Sequence, residues 1–171
     1  MKRKEKLCRI LYIDTVFWAY THSLSFIHEN VEKELNKIKK EAEKLSIEEI
    51  RNRIAEIKPT HLHWYSLFEY KLTIKKIVDV EKLIIDEEHN ILDGISNCKN
   101  KKISYFLKNY RNNKETLQRL NFVLKNLDTL TKFLPIVVKK SNNFFEIKTG
   151  NHRAMAFIKK GYKKIKVLEI I

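Results

Sequence analysis

The sequence predicts an α+β fold in which a helical N-terminal region precedes a small sheet with helices. Two observations predict this class. Apolar residues recur at three- and four-residue steps over Thr21–Ile57, which is typical of amphipathic helices. From Ile77 onward, short runs rich in β-branched residues alternate with helical patterns and turn residues. We therefore expect two domains, a helical region at residues 1–77 and a second domain at residues 78–171.

The composition is that of a globular protein. The chain has 171 residues, of which 43% are hydrophobic and 33% charged, enough for a real core. No window approaches the run of about 18 apolar residues that a membrane span needs. Asp14 and His22 interrupt the apolar stretch after Met1–Lys6, so the start does not resemble a secretory signal. Two cysteines form neither a disulfide framework nor a zinc pattern, and we expect a cytoplasmic protein without membrane contact.

Positive charge is concentrated in the last part of the chain. The formal net charge is +14, and residues 99–171 contain 18 basic and 4 acidic residues. A basic surface of this kind attracts nucleic acid or phosphorylated small molecules, and composition alone does not choose between them. The alternative is a compositional bias, because an AT-rich genome also produces a chain rich in Lys, Ile and Asn.

The N-terminal region predicts a helical hairpin. Its first apolar stripe comprises Leu24, Ile27, Val31, Leu35, Ile38, Ala42 and Leu45. Ser46 and Glu49 have the spacing of a capping box, which predicts a second helix that ends before Pro59. A third helix is expected over Thr60–Lys71, where His61 and His63 are too close in sequence to share a helix face and are interpreted as structural. Leu7–Tyr20 is apolar without a clear period.

The remaining pattern predicts an ordered series of strands and helices. The expected elements are a strand at Ile77–Ile85, an acidic loop at Asp86–Asn97, helices at Ile103–Tyr110 and Thr116–Thr131, strands at Ile136–Lys139 and Phe144–Lys148 joined by a turn, a helix from His152 to Lys160 ended by Gly161, and a strand at Lys164–Ile170.

The junction after the second strand of the hairpin is the most informative segment. Gly150 permits a tight turn, and Asn151 is a good N-cap for the helix that follows. His152 and Arg153 then add positive charge to the positive end of the helix dipole, which is unfavourable unless an anion lies nearby. We interpret Gly150–Arg153 as a phosphate-binding site in which Arg153 holds phosphate oxygens and His152 donates a hydrogen bond or moves a proton. The alternative is that Asn151 only caps the helix while His152 and Arg153 face solvent.

These residues also carry a family resemblance. Three runs resemble the ParB/sulfiredoxin superfamily: Leu134-Pro-Ile-Val-Val, then Phe145-Glu-Ile-Lys-Thr-Gly-Asn-His-Arg-Ala-Met-Ala, then Gly161-Tyr-Lys-Lys-Ile-Lys-Val. The resemblance is close over Leu134–Val167, extends back to Val78 and excludes Met1–Ile77. It implies a ParB/sulfiredoxin-like mixed sheet at about residues 78–171 and nucleotide phosphate bound at the helix start.

The resemblance implies several chemistries, and this chain departs from each. Sulfiredoxins place a catalytic Cys where Asn151 stands, so sulfinic-acid repair is not expected. Partition proteins carry Gly-Glu-Arg-Arg, bind CTP and continue into a helix-turn-helix; that Glu is absent from Gly150–Arg153, and a partition clamp of the usual design is not expected. Free-serine kinases and nuclease-annotated relatives carry Asp-Gly-His-His-Arg, and Thr149 replaces that Asp. When this sequence is aligned with the free-serine kinases from the opening strand, Glu87 occupies the position of the acidic residue that activates the substrate hydroxyl. The alternative is that Asp86–Glu88 is a solvated acidic loop.

Three functions remain open at this stage. The first is binding of ATP, ADP or CTP at Gly150–Arg153, with Mg²⁺ arriving with the nucleotide, for phosphoryl transfer or hydrolysis with His152 and Glu87 as candidate catalytic residues. The second is DNA or RNA binding, with or without nuclease activity, through the basic residues Lys139, Lys140, Lys159, Lys160, Lys163 and Lys164. In the third, the N-terminal helices make the protein an adaptor or a homo-oligomer. No metal site is expected from the sequence.

Overall fold

The computed structural model describes residues 3–21, 30–57, 72–85, 101–109 and 114–171. Over these residues the chain forms helices and a five-stranded mixed sheet, so the predicted α+β class is confirmed. The chain divides into two compact units, the first containing Met1–Leu72 with Lys132–Leu134 and the second Thr73–Thr131 with Pro135–Ile171. The boundary expected after Ile77 falls inside a strand of the second unit. None of the described helices combines the length and apolar character needed to cross a membrane.

The first unit is built around one buried helix. Helix α1 (Arg3–Thr21) contacts both α2 (Val31–Lys44) and α3 (Ile47–Ile57). Ten consecutive or nearly consecutive residues of α1 are buried, from Leu7 and Cys8 through Ile10–Phe17. A helix that is buried around most of its circumference has no polar face and therefore no amphipathic period. This explains why the sequence of Leu7–Tyr20 predicts neither helix nor strand.

The two predicted helices α2 and α3 and the short joint between them are confirmed, and each helix contacts α1. Leu35, Ile38 and Ala42 of α2 are buried, as are Ile50 and Ile54 of α3. The capping box is formed in full: the Ser46 N–H donates to Glu49 Oε2 (2.7 Å), and the Glu49 N–H donates to Ser46 Oγ (3.2 Å).

Three of the N-terminal predictions fall outside the described residues. They are the start of the stripe at Leu24 and Ile27, the third helix at Thr60–Lys71, and the structural roles of His61 and His63. They stay predictions.

The second unit contains the sheet. Its strands are β1 (Leu72–Asp79), β2 (Leu83–Ile85), β3 (Val137–Ser141), β4 (Phe144–Thr149) and β5 (Lys164–Ile170), in the order β1-β5-β3-β4-β2. β3 and β4 are antiparallel, which confirms the predicted hairpin, whereas β3 is parallel to β5 and β2 to β4.

The prediction of one strand over Ile77–Ile85 is wrong. A 3₁₀ turn at Val80–Lys82 divides the segment into β1 and β2, which occupy opposite edges of the sheet. The Val80 N–H donates to the Lys163 carbonyl oxygen (3.0 Å), just before β5 begins. Since β-branched residues favour both strands equally, the sequence pattern shows no interruption.

Four helices accompany the sheet: α4 (Ile103–Asn109), α5 (Lys114–Lys125), α6 (Leu127–Phe133) and α7 (Asn151–Lys159). The prediction of a single helix over Thr116–Thr131 is wrong, because Asn126 separates α5 from α6. Its side-chain Nδ2 donates to the Phe122 carbonyl oxygen (3.0 Å), a local bond by which Asn competes with helical structure. Helix α7 packs against α4 and α5.

Candidate functional site at the start of helix α7

The connection from β4 to α7 is a tight turn at one residue. Val137 pairs with Thr149 and Val138 with Ile147, so that Lys148 is an extra residue in β4, as in a β-bulge. Gly150 follows with φ 103°, in the left-handed region, and is the N-cap of α7. Its carbonyl oxygen accepts the first helical hydrogen bond, from the Ala154 N–H (2.8 Å). The prediction that Asn151 is the N-cap is therefore wrong by one residue, because the left-handed turn at Gly150 lets the helix begin at Asn151.

Gly150 is required here by space as well as by backbone conformation. A Cβ atom at this position would lie 3.0 Å from Ile136 Cγ1, 3.2 Å from Ile136 Cα and 3.3 Å from Arg153 Nε. A residue with a side chain would also be strained at this φ. Since glycine has no side chain to accept a hydrogen bond, the cap leaves the first turn of α7 without a side-chain acceptor from its own N-cap.

Arg153 lies under this turn and is buried. It is 2% exposed, and its Nη2 donates to Thr149 Oγ1 (3.2 Å), which is also buried. Its guanidinium therefore bridges the end of β4 and the first turn of α7. The structure thus does not place Arg153 in solvent, and it shows a positioning contact that the sequence did not indicate.

His152 is half-buried and lies among positive charges. Burial is the main reason why the pKa of His152 is lowered from 6.5 to about 3, and the charges of Arg119 and Arg153 lower it further. Within the described part of the chain, no carboxylate contributes to this shift. The imidazole is consequently neutral at pH 7 and has one N–H donor and one acceptor nitrogen.

Arg119 was not a candidate from the sequence. It lies on α5, next to the buried Leu120, and its charge lowers the pKa of His152 on the neighbouring α7. The one available signal was its residue type, because only seven of the 35 basic residues are arginine. Because Arg119 is far from Gly150–Arg153 along the chain, no sequence pattern connects the two.

Asn151 contributes an unusual polar group. The residue is 5% exposed, and its Oδ1 has no hydrogen-bond partner within the described structure. Leaving a buried polar atom without a partner costs about 1–3 kcal/mol. Rotation of the carboxamide would exchange its oxygen for its NH₂ group, so the same side chain can present either an acceptor or two donors.

The structure separates the remaining candidate residues. Glu87 lies outside the described residues. Lys159, Lys160, Lys163 and Lys164 follow one another at the far end of α7 and the start of β5. Lys139 pairs instead with Ile170, at the other end of β5, about 20 Å from Lys164 at the ordinary rise of a strand. Lys139 and Lys140 therefore do not belong to the same surface as the other four lysines.

The described residues contain no group of three or more His, Cys, Asp or Glu side chains arranged to hold a metal ion. Comparisons with protein-family models, with curated proteins and with solved structures gave no match.

Proposed function

We propose that the second unit binds the phosphate groups of a nucleoside di- or triphosphate at the start of α7 and uses the nucleotide for phosphoryl transfer or hydrolysis. The observation that carries this proposal is that the charges of Arg119 and Arg153 both act on His152 at the positive end of a helix dipole. Positive groups repel one another and the helix end. A bound phosphate turns each of these repulsions into an attraction.

The buried Asn151 supports the same conclusion independently of charge. Its carboxamide lies in the first turn of α7, and its Oδ1 is unsatisfied in the described structure. A ligand at the helix end supplies what this group lacks, either a donor for Oδ1 or a phosphate oxygen for the NH₂ group after rotation.

Arg119, His152 and Arg153 have different parts in the proposed site. Arg153 is a positioning residue, since it is buried, donates to Thr149 and packs against Gly150. Arg119 is half-buried and supplies the guanidinium that contacts phosphate oxygens. His152 is neutral at pH 7, so its ring N–H donates one hydrogen bond to the ligand.

Catalysis at such a site is mainly positioning and neutralisation of charge. Mg²⁺ would enter with the nucleotide, bound by phosphate oxygens, because no cluster of metal ligands occurs among the described residues. We also propose that residues 78–171 are a ParB/sulfiredoxin-like domain. In support, the β3–β4–α7–β5 order has Gly150 and Gly161, both at positive φ, where the resemblance expects them.

Isothermal titration calorimetry tests the proposal with ATP, ADP and CTP, each with and without Mg²⁺. We expect at least one of them to bind the wild-type protein. Arg119→Gln should weaken that binding about tenfold or more, because a charge-assisted hydrogen bond is lost. Lys125→Gln is the matched control, since it removes one exposed charge from the same helix. Absence of binding by the wild type, or equal weakening by both variants, would contradict the proposal.

A further inference from the structure

The segment from Lys159 to Lys166, which we call the lysine turn, links α7 to β5. Its sequence is Lys-Lys-Gly-Tyr-Lys-Lys-Ile-Lys, with five basic residues and no acidic one. All five lysines are exposed. Its one ion pair within the described structure joins Lys164 to the exposed Asp79 at 3.9 Å, and a surface pair of this kind contributes little. The segment therefore presents a concentrated positive charge to solvent.

The backbone of the lysine turn is held at both ends. The Gly161 N–H donates to the Ile158 carbonyl oxygen (2.9 Å) and the Tyr162 N–H to that of Phe157 (3.1 Å), the two bonds of a Schellman motif. Gly161 has φ 83°, and the space around it is open. The Lys163 carbonyl then accepts from the Val80 N–H (3.0 Å). The charges are thus displayed on an ordered turn rather than on a loose loop.

An aromatic ring lies in the middle of these charges. Tyr162 is 49% exposed, although its ring contacts Phe157 in a perpendicular arrangement with centroids 5.1 Å apart. The contact with Phe157 is the usual apolar contact of a Schellman motif and fixes the Tyr162 ring. It leaves half of the residue in solvent. An exposed ring that is already held in place stacks on a planar ligand with little loss of conformational freedom.

We propose that the lysine turn binds single-stranded nucleic acid, with its lysines on the phosphate backbone and a base stacked on Tyr162. Exposed cations beside an aromatic ring are the two components of sequence-tolerant single-strand binding. A duplex can contact the lysines through its phosphates but cannot stack a base on Tyr162, since its bases are stacked within the helix. Lys159 and Lys160 also stabilise α7, because positive charge is favourable near a helix C-terminus. This stabilisation does not account for Lys163, Lys164 and Lys166 or for Tyr162.

This surface is distinct from the proposed phosphate site. The two lie at opposite ends of α7, whose nine residues correspond to about 13 Å at the ordinary helical rise. Variants of the lysine turn can therefore be examined without altering Gly150–Arg153. Failure of nucleotide binding would leave this inference untouched, and the converse also holds.

Fluorescence anisotropy with labelled oligo(dT) and oligo(rU), and with a duplex of equal length, tests the proposal on the full chain. We expect single strands to bind more tightly than the duplex. Tyr162→Ala should weaken single-strand binding about tenfold, whereas Tyr162→Phe should leave it near the wild-type value. An unchanged affinity of Tyr162→Ala, or preference for the duplex, would overturn the proposal.

Two variants that each remove three lysines distinguish binding at the lysine turn from general attraction by the protein's net charge. The triple variant Lys160→Gln, Lys163→Gln, Lys164→Gln should bind more weakly, and its slope of log affinity against log salt should be shallower by about 2. The control Lys33→Gln, Lys37→Gln, Lys40→Gln removes three exposed lysines from α2. Equal loss in both would contradict a specific surface. Binding to phosphatidylserine-containing vesicles without binding to oligonucleotides would likewise overturn the proposal.

Discussion

Gly150 determines the geometry of the candidate site at the scale of single residues. Its left-handed conformation turns the chain from β4 into α7, and its missing Cβ admits Ile136 and the guanidinium of Arg153. The second glycine at positive φ, Gly161, has open space where a Cβ would lie. Replacing each glycine by alanine therefore separates the free-energy cost of backbone strain, which both positions have, from the cost of a steric clash, which only Gly150 has.

We expect Gly150→Ala to destabilise the protein by about 3 kcal/mol, because strain at positive φ adds to a clash with Ile136. Gly161→Ala should cost only about 1 kcal/mol, since strain is then the sole contribution. Urea unfolding monitored by circular dichroism measures both. Equal losses would show that the contact with Ile136 and Arg153 has no energetic importance.

His152 makes stability depend on pH in a predictable direction. Burial and the charges of Arg119 and Arg153 lower the pKa of His152 to about 3 in the folded state, while in the unfolded chain it is near 6.5. Between these values the unfolded chain binds a proton that the folded protein does not. The contribution of His152 to stability is therefore present above about pH 6.5 and is lost progressively as the pH falls toward 3.

The variant His152→Gln should show a flatter dependence of stability on pH over this range. Other acidic groups titrate in both proteins, so the difference between the two unfolding free energies isolates His152. Urea titrations at several pH values between 4 and 7 measure it. A difference that does not change with pH would contradict the lowered pKa.

At the scale of secondary structure, the capping box at Ser46 and Glu49 controls where α3 begins. The Ser46 backbone N–H and then its hydroxyl lower the pKa of Glu49. Both partners are exposed, so their effect is local to the start of the helix.

Ser46→Ala should destabilise the first unit by about 1 kcal/mol, because α3 loses the side-chain acceptor at its N-cap. Thermal unfolding followed by circular dichroism measures this. Ser46→Asn is the control that should retain most of the stability, since Asn is also a good N-cap. Equal stability of Ser46→Ala and the wild type would show that the cap is not needed.

Helices and strands with one buried face were predictable from the sequence, and those without a single buried face were not. The stripe of α2 and the capping box of α3 predicted both helices, and the turn at Asn142 predicted the β3–β4 hairpin. Helix α1 was missed because it is buried on most sides. The breaks at Val80–Lys82 and Asn126 were missed because they arise from hydrogen bonds to particular carbonyl groups, which leave no trace in hydrophobic periodicity.

The candidate site was predictable only where its residues are consecutive. Gly150–Arg153 stand together in the sequence, and their charge at a helix start suggested a phosphate. Arg119 comes from α5, and Thr149 matters through its hydrogen bond with Arg153. Such associations depend on tertiary packing. The role of Arg153 also differs from the sequence interpretation, in which it holds phosphate oxygens, because its side chain is buried beneath the turn and donates to Thr149.

For the molecule as a whole, the distribution of charge favours anionic ligands. Residues 99–171 carry 18 basic and 4 acidic residues, and they include both the start of α7 and the lysine turn. A long-range positive potential speeds the arrival of any polyanion and weakens as salt is added. Affinity at a single salt concentration therefore does not distinguish a specific binding site from general electrostatic attraction.

The most direct test of the central claim is a map of where the phosphate ligand binds, by two-dimensional NMR of the ¹⁵N-labelled protein titrated, at two salt concentrations, with whichever of ATP, ADP and CTP binds most tightly in calorimetry. We predict saturable shifts of the Asn151, His152 and Arg153 amide signals that persist at the higher salt, because helix N–H groups bind the phosphate directly. Shifts confined to Lys159–Lys166, or shifts that vanish with salt, would contradict a phosphate site at the start of α7.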